Sequence, residues 1–256
     1  MLLAACDFDG TLFFHDGSGV HAADREAIEA WRRAGHIFGI VTGRGPATLL
    51  PTLARHPLPF DFLVCNNGAL VLDGEGTVTD AVPLPHAVRE AILAHEALAG
   101  ALRCALFTPQ CMFLLEGKAP CWGFEAAPLP VLAASQVADI PGLVQVSMGF
   151  ADREASLRFG RALMADLEGR AHVLCSLALA DVIALEAGKD AGIRLAMRRH
   201  GWRPEAVLTA GDDGNDLAML SAFRGHAMEG SDAAVLAAAR GRRIASVADL
   251  LRSYLG

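Results

Sequence analysis

The feature that most constrains this chain is an apolar run at residues 2–6 that leads into two carboxylates, Asp7 and Asp9. The run has no helical period and is apolar on both faces, which is typical of a buried strand. On an extended backbone Asp7 and Asp9 point to the same side, and Phe8 points to the other. Like charges at the end of a buried strand raise the free energy of the fold unless a cation or hydrogen-bond donors compensate them. The stretch therefore predicts a Mg²⁺-dependent acidic site at the carboxyl end of a central strand.

Strand and helix signals alternate after this first strand. The predicted elements are a helix at 22–34, a strand at 36–41, a helix at 47–56, a strand at 60–65 and a hairpin at 71–82. Alternation of this kind implies right-handed crossovers and a doubly wound parallel α/β sheet. Three strands in turn end in polar motifs, DFDGT, TGR and NNGA. Because functional sites of such sheets lie at the carboxyl ends of the strands, these motifs are expected to meet.

The regular alternation of strands and helices ends at about residue 83. From there strands outnumber helices, and no acidic motif follows a strand. Residues 83–184 are therefore predicted to form an inserted α+β domain, and residues 1–82 and 185–256 to form the doubly wound core. Within the insertion we expect a helix at 87–98 and a loop-rich stretch at 120–141.

Composition excludes several classes of protein. With a net charge of −7 the chain has no overall basic character to hold nucleic acid, and the arginine cluster at 240–243 is too short to indicate a local basic patch. There is no apolar run long enough for a transmembrane helix. The six cysteines contain no CxxC pair and the nine histidines no HxH or HxxxH pair, so no zinc site is expected. We expect reduced thiols in a cytoplasmic protein, and a structural role for His15, which has no partner at catalytic spacing.

Four motifs carry the chemistry: DFDGT at 7–11, TGR at 42–44, GK at 188–189 and GDDGND at 211–216. Their order, the NGA element at 67–69 and the insertion between the second and third motifs together resemble the haloacid dehalogenase-like (HAD) phosphatase superfamily, and within it the Cof-type subfamily IIB. The resemblance implies a HAD, Rossmann-like core and identifies residues 83–184 with a cap domain of type C2B.

The same resemblance implies roles for individual residues. Asp7 would be the nucleophile that forms an aspartyl-phosphate, and Asp9 the general acid and then the general base. The Mg²⁺ ligands would be Asp7, the backbone carbonyl of Asp9, Asp212 and Asp216. The groups that would hold the phosphate are the Thr42 hydroxyl, the Gly43 amide, the Lys189 ammonium and Asn215, with Arg44, Asn66 and Asn67 as further candidates.

Each motif also has a plain structural interpretation. DFDGT alone could be a turn or part of a Ca²⁺ loop, GDDGND a helix entry, and Lys189 a solvated helix residue. Four unrelated structural motifs in this order are less probable than four parts of a single functional site.

The sequence thus predicts a phosphomonoester hydrolase of small phosphorylated metabolites, most of all sugar phosphates or phosphoglycerate-type compounds. It would have no nucleic-acid or membrane partner and would be a monomer or small homo-oligomer. A phosphomutase or phosphotransferase of the same superfamily is the alternative. A phospho-accepting regulatory domain is a third possibility, which Asp9 and the large insertion disfavour, since a phospho-switch needs neither an acid/base nor a lid.

Overall fold

A computed structural model describes residues 1–119 and 129–255 of the chain. The strands are β1 (Leu3–Asp7), β2 (Phe13–Phe14), β3 (Gly19–Val20), β4 (Ile37–Val41), β5 (Phe62–Cys65), β6 (Leu70–Leu72), β7 (Val78–Ala81), β8 (Arg103–Phe107), β9 (Met112–Leu115), β10 (Val131–Leu132), β11 (Gln145–Gly149), β12 (Ala171–Ser176), β13 (Leu179–Ala184), β14 (Val207–Gly211), β15 (Arg224–Met228) and β16 (Arg243–Ile244).

The helices are α1 (Ala22–Arg33), α2 (Pro46–Arg55), α3 (His86–Ala94), α4 (Glu96–Gly100), α5 (Ala134–Val137), α6 (Arg153–Leu167), α7 (Lys189–His200), α8 (Leu217–Ala222), α9 (Ala233–Ala238) and α10 (Val247–Leu255). Short 3₁₀ turns lie at Asn66–Gly68 and Gly214–Asp216. Within the residues that the structure describes, no helix is long and apolar enough to cross a bilayer.

The chain divides into two compact units, and the first comprises Met1–Asp80 and Gly188–Gly256. Its sheet has the strand order β16-β15-β14-β1-β4-β5-β6-β7. The pairs from β16 to β5 are all parallel, and β6 pairs antiparallel with β5. Helices lie between successive parallel strands, as in a doubly wound fold. The predicted α/β core is confirmed, and β1 lies in its middle.

Burial explains why β1 is a central strand. All five of its residues are buried, and it pairs with β14 on one side and β4 on the other. Such strands carry apolar side chains on both faces because helices cover both faces of the sheet. On one face the core cluster includes Leu3, Val64 and Ile193. Helix α1 presents Ala27, Ile28 and Trp31 to the interior, and the Trp31 indole donates to the Ile37 carbonyl at 2.9 Å.

The second unit is Ala81–Ala187, whereas the sequence predicts an insertion at 83–184. Its sheet has the order β10-β9-β8-β11-β13-β12 and is antiparallel except for the β10–β9 pair. Alternate strand residues, such as Leu106, Val146 and Val182, share an apolar cluster with Val88 of α3 and Leu163 of α6. One face of this sheet is therefore covered by helices, as an α+β domain requires.

Some elements differ from the sequence prediction. The single helix expected at 87–98 is wrong, because His95 has an extended backbone and separates α3 from α4. The His95 imidazole accepts the Ala97 N–H at 3.0 Å, so the residue caps α4 instead of continuing α3. The short strands β2, β3 and β16 and helix α9 are not predicted. Of the expected loop-rich stretch at 120–141, residues 120–128, with Cys121, lie outside the described residues.

Gly192 sets how closely α7 approaches β5. A Cβ at this position would collide with the Val64 side chain and lie 3.2 Å from Gly68 Cα. Glycine therefore allows the helix to pack directly on the end of the strand, which is where the side chains at its amino end meet the polar motifs.

Gly192→Ala is expected to destabilise the protein by about 1–2 kcal/mol. Alanine favours the helix by about 1 kcal/mol, but overpacking at a buried contact costs about 1–3 kcal/mol, and here the neighbours include backbone that cannot rotate away. Urea unfolding of the variant measures this change. The matched control is Arg198→Ala on the exposed side of the same helix, expected within about 0.5 kcal/mol of wild type. A Gly192→Ala protein more stable than wild type would contradict the packing.

Candidate active site

The site lies where three neighbouring strands of the first unit end. Asp7 is the last residue of β1 and pairs in register with Val41, the last residue of β4. Thr42 follows β4, and Asp212 follows β14, which ends at Gly211. Since parallel strands run in the same direction, their carboxyl ends bring these polar residues to one edge of the sheet.

A buried lysine joins the carboxylates. The Lys189 ammonium donates to Asp7 Oδ1 and to Asp216 Oδ1, both at 2.5 Å. All three residues are buried, with 1%, 5% and 0% of their surface exposed. Ions this buried are stable only when each has a partner, so the three positions depend on one another. Lys189 is the first residue of α7, and the start of that helix thus fixes the ammonium.

Three carboxylates form a group that could hold a metal ion. Asp7, Asp212 and Asp216 each offer an oxygen, and these oxygens lie within 4.8 Å of one another. Thr11 Oγ1 donates to Asp212 Oδ1 at 2.9 Å, and Asp216 Oδ2 accepts the backbone N–H of Asp212 at 3.0 Å. Three carboxyl groups face a single ammonium, and hard oxygen donors are what Mg²⁺ prefers. The donor set therefore fits a divalent cation of this kind.

Gly10 is required for this arrangement. Its φ is +83°, and a Cβ here would collide with the Asp212 carboxylate. A larger residue would therefore be strained in its backbone and would displace an acidic side chain of the group.

Burying several charged groups together shifts their pKa values. Burial, and then the neighbouring Asp216, raises the pKa of Asp7 well above its usual range, and Lys189 opposes this rise. Burial and Asp216 likewise raise the pKa of Asp212 to about 6. Burial lowers the pKa of Lys189, but Asp216 and Asp7 outweigh that effect and raise it overall. The ammonium thus stays charged while the carboxylates are under-compensated.

Asp9 has different partners from Asp7. Arg44 donates to its two oxygens, from Nε to Oδ2 at 2.8 Å and from Nη2 to Oδ1 at 2.5 Å. The His15 Nε2 atom lies 2.8 Å from Asp9 Oδ1. The sequence reasoning treated His15 as merely structural, and the structure instead places it on a predicted catalytic group. The Asp9 side chain is not a member of the acidic group formed by Asp7 and its neighbours.

The other predicted phosphate-binding residues are linked by hydrogen bonds. Asn67 donates its backbone N–H to the Thr42 carbonyl at 3.0 Å, and its side-chain oxygen accepts the Asn215 amide at 3.1 Å. An added Cβ on Gly43 would lie 3.1 Å from the Asn67 side chain. Asn66 and Asn67 have φ of +52° and +53°, a left-handed conformation that asparagine tolerates better than most residues. The loops after β4, β5 and β14 are therefore interlocked.

Sequence reasoning missed two contacts of the site. The DFDGT motif predicts no role for Thr11, which donates to Asp212, and the sequence offers no partner for His15, which lies against Asp9. A signal was available for His15, since aromatic and β-branched residues at Phe13, Phe14 and Val20 flank a glycine-containing turn and indicate a hairpin. The strands β2 and β3 form that hairpin and return His15 toward Asp9.

A family model described as haloacid dehalogenase-like hydrolase matches residues 4–244. No curated protein matches the sequence. A structure described as a HAD subclass IIB sugar phosphatase is similar, with a TM-score of 0.80, 24% identity, and coverage of 98% of this chain and 95% of that one.

Two further structures have the same fold. A phosphatase of the haloalkanoate superfamily from Bacteroides thetaiotaomicron has a TM-score of 0.77 and 21% identity, covering 99% of this chain and 93% of that one. A haloacid dehalogenase-like hydrolase from B. subtilis has a TM-score of 0.78 and 17% identity, covering 99% and 100%. At these identities the similarity shows a common fold.

Asp212→Asn is expected to stabilise the metal-free protein near neutral pH and not in acid. A carboxyl whose pKa is raised by folding contributes stability that is fully present below its unfolded pKa and is lost as the pH rises through the folded pKa, here about 6. Asparagine carries no charge and keeps the oxygen that accepts the Thr11 hydroxyl.

Urea unfolding in EDTA measures this difference. The free energy of unfolding of the variant should exceed that of wild type by on the order of 1–2 kcal/mol at about pH 8, and the two should differ by no more than about 0.5 kcal/mol at about pH 4. A difference that does not change with pH would contradict the assigned electrostatics.

Proposed function

The chain belongs to the haloacid dehalogenase-like hydrolases, and on that premise we propose that it is a Mg²⁺-dependent phosphomonoester hydrolase that acts through an aspartyl-phosphate. Membership confirms the superfamily predicted from the four motifs and the prediction of an enzyme of the HAD-like phosphatase kind. The observation that carries the mechanistic proposal is the buried contact of the Lys189 ammonium with both Asp7 and Asp216, beside Asp212.

Asp7, Asp212 and Asp216 would hold the magnesium ion, together with the backbone carbonyl of Asp9. When bound, the ion supplies positive charge that offsets the repulsion between an anionic nucleophile and an anionic phosphate. The fit rests on the acidic group itself, whose carboxylates are under-compensated by the one ammonium among them.

Asp7 is the proposed nucleophile. One of its carboxylate oxygens forms a bond to phosphorus as the bond from phosphorus to the leaving oxygen breaks, which gives an aspartyl-phosphate and an alcohol. The Lys189 ammonium, 2.5 Å from Asp7 Oδ1, would hold the nucleophile in position and favour its ionised form. A buried carboxylate without this partner would favour its neutral, non-nucleophilic form.

Asp9 is the proposed general acid and base. In the first step its proton goes to the leaving oxygen. In the second step Asp9 takes a proton from water, whose oxygen attacks phosphorus, and the bond to Asp7 breaks to release inorganic phosphate and restore both carboxyl groups. Each turnover therefore returns Asp9 to its starting protonation state.

The phosphate oxygens would be held by the Thr42 hydroxyl, the Gly43 amide, the Asn215 amide and Lys189. Phosphoryl transfer spreads charge over these oxygens, so its catalysis depends on donors that are already in place. The hydrogen bond between Asn67 and Asn215, and the bond from Asn67 to the Thr42 carbonyl, would supply that order. Asn67 is thus proposed to act beside the phosphate-binding groups, whereas Arg44, a further candidate from the sequence, donates to Asp9 in the structure.

Small phosphorylated metabolites, above all sugar phosphates, are the proposed substrates. A structure with the same fold is described as a sugar phosphatase, which supports this class. We further propose that the second unit, Ala81–Ala187, is the cap that selects the leaving group. Cytoplasmic location and a monomeric or small homo-oligomeric state stay predictions.

Asp7→Asn is expected to lower the rate of phosphate release by about a thousandfold or more, because the amide is not a nucleophile. The assay measures release from p-nitrophenyl phosphate in Mg²⁺, and wild type in EDTA should be equally inactive. Asp213→Asn is the matched control, a carboxylate next to Asp212 in the chain that lies outside the acidic group. An Asp7→Asn protein with wild-type rates would overturn the nucleophile assignment.

A substrate panel with wild type and Asp9→Asn tests the substrate class. Sugar, nucleotide and glycerate phosphates all have alkoxide leaving groups that require a proton, so Asp9→Asn should lower their hydrolysis by about 10²-fold or more. Sugar phosphates should rank first for wild type. Transfer of the phosphoryl group to a second sugar phosphate, with no net release of phosphate, would instead support the phosphomutase or phosphotransferase alternative.

A further inference from the structure

We propose that Arg44 and His15 are positioning residues that together hold the Asp9 carboxylate in a defined orientation; this pair is called the Asp9 clamp below. The inference rests on the proposed function, in which Asp9 is the general acid and base. It assigns a role to His15, which lies outside the four motifs, and it assigns Arg44 to Asp9 rather than to the substrate.

The clamp contacts both oxygens of Asp9. The Arg44 guanidinium makes two hydrogen bonds, one to Oδ1 and one to Oδ2, and His15 reaches Oδ1 from the hairpin. A two-pronged guanidinium contact fixes the plane of a carboxylate as well as its position. His15 adds a third contact, at Oδ1, from a different segment of the chain than Arg44.

Aromatic rings hold the clamp itself. Phe8 and Phe13 stack with their centroids 5.2 Å apart, and the Arg44 Cζ atom lies 5.1 Å and 5.4 Å from those centroids. The His15 ring meets Phe13 edge to face at 5.2 Å. Arg44 Nη1 also donates to Thr52 Oγ1 at 3.0 Å. The guanidinium and the imidazole therefore sit on a common support and are not free surface side chains.

Asp9 and His15 lie close together in the sequence, on one short segment of the chain. Gly10 donates its N–H to the Phe13 carbonyl at 2.9 Å, Asp9 forms a β-bridge with Phe13, and the β2–β3 hairpin follows at once. The path from Asp9 to His15 is thus fixed by backbone hydrogen bonds. All parts of the clamp belong to the first unit.

Fold stability does not account for the contact of His15 with Asp9. The His15 side chain is 68% exposed and that of Asp9 is 36% exposed, and pairs as exposed as this contribute little to stability. The neighbouring His21 provides a comparison in the same segment, since it stacks on Phe14 and bonds to Ser18 Oγ without touching Asp9. We therefore expect the loss of His15 to change the orientation of Asp9 and to have little effect on the free energy of unfolding.

An orientation effect on a general acid depends on the leaving group. Phenyl phosphate and p-nitrophenyl phosphate differ by one nitro group, but phenolate is the much stronger base and needs a proton more. In a variant with a misplaced Asp9, the rate of the first step should fall more with phenyl phosphate than with p-nitrophenyl phosphate. A variant that only weakens the fold should lose both equally.

The experiment is the first-turnover rate of phenol or nitrophenol release, measured by rapid quench with Mg²⁺ and excess enzyme. For His15→Ala the ratio of the p-nitrophenyl to the phenyl rate should rise about tenfold over wild type, because a small displacement of a catalytic group costs one to two orders of magnitude. His15→Gln, whose amide nitrogen can replace Nε2, should restore the ratio to within about threefold of wild type. Arg44→Lys, which loses the two-pronged contact, should raise it at least as much as His15→Ala.

His21→Ala is the matched control and should keep the wild-type ratio, with circular dichroism confirming the fold of every variant. If wild type is active, Asp7→Asn is inactive and His15→Ala keeps the wild-type ratio, the clamp is overturned while the proposed function stands. If His15→Ala does not fold, the ratio of Arg44→Lys decides by the same criterion. If wild type releases neither alcohol, the proposed function fails and the clamp fails with it.

Discussion

The buried Lys189 ammonium between Asp7 and Asp216 is the interaction on which the rest of the first unit depends. It requires α7 to begin at Lys189, next to the ends of β1 and β14, and Gly192 lets that helix pack against β5 closely enough to do so. Removing one partner of such a buried group leaves an uncompensated charge and costs about 3–5 kcal/mol. The order of the strands, the start of α7 at Lys189 and the chemistry of the site thus all meet in this one contact.

The buried group of Lys189 and its neighbouring carboxylates is ordered, but its negative charge is not fully compensated. One ammonium faces several carboxylates, and burial raises the pKa values of Asp7 and Asp212 above their usual range. A fold selected for stability alone would place apolar side chains here, since those cost no desolvation. The imbalance is what a site for a cation and an anionic phosphate requires, and it explains why stability and proposed function oppose each other at this edge of the sheet.

Much of the core and the acidic group could be predicted because both follow from short-range patterns. Asp7 and Asp212 each end or follow a buried strand, and the β-α-β alternation places those strand ends together. The break at His95 could not be predicted, because one side-chain hydrogen bond to Ala97 decides it within an otherwise helical pattern. The partners of Asp9 depend on tertiary contacts. Strand alternation indicates only that Asp9 shares a side with Asp7. The direction of its carboxylate is set by Arg44, a residue distant in sequence, and by His15, which the β2–β3 hairpin returns toward it.

The most direct test of the account is to identify the residue that carries the phosphoryl group during turnover. Asp9→Asn with p-nitrophenyl phosphate should accumulate the intermediate, because the leaving group departs without a proton and the second step lacks its base. After acid quenching, peptide mass spectrometry should find the phosphoryl group on Asp7 in Mg²⁺ and not in EDTA. A phosphoryl group on another residue, or turnover without any modified Asp7, would contradict the central role given to the Asp7–Lys189 contact.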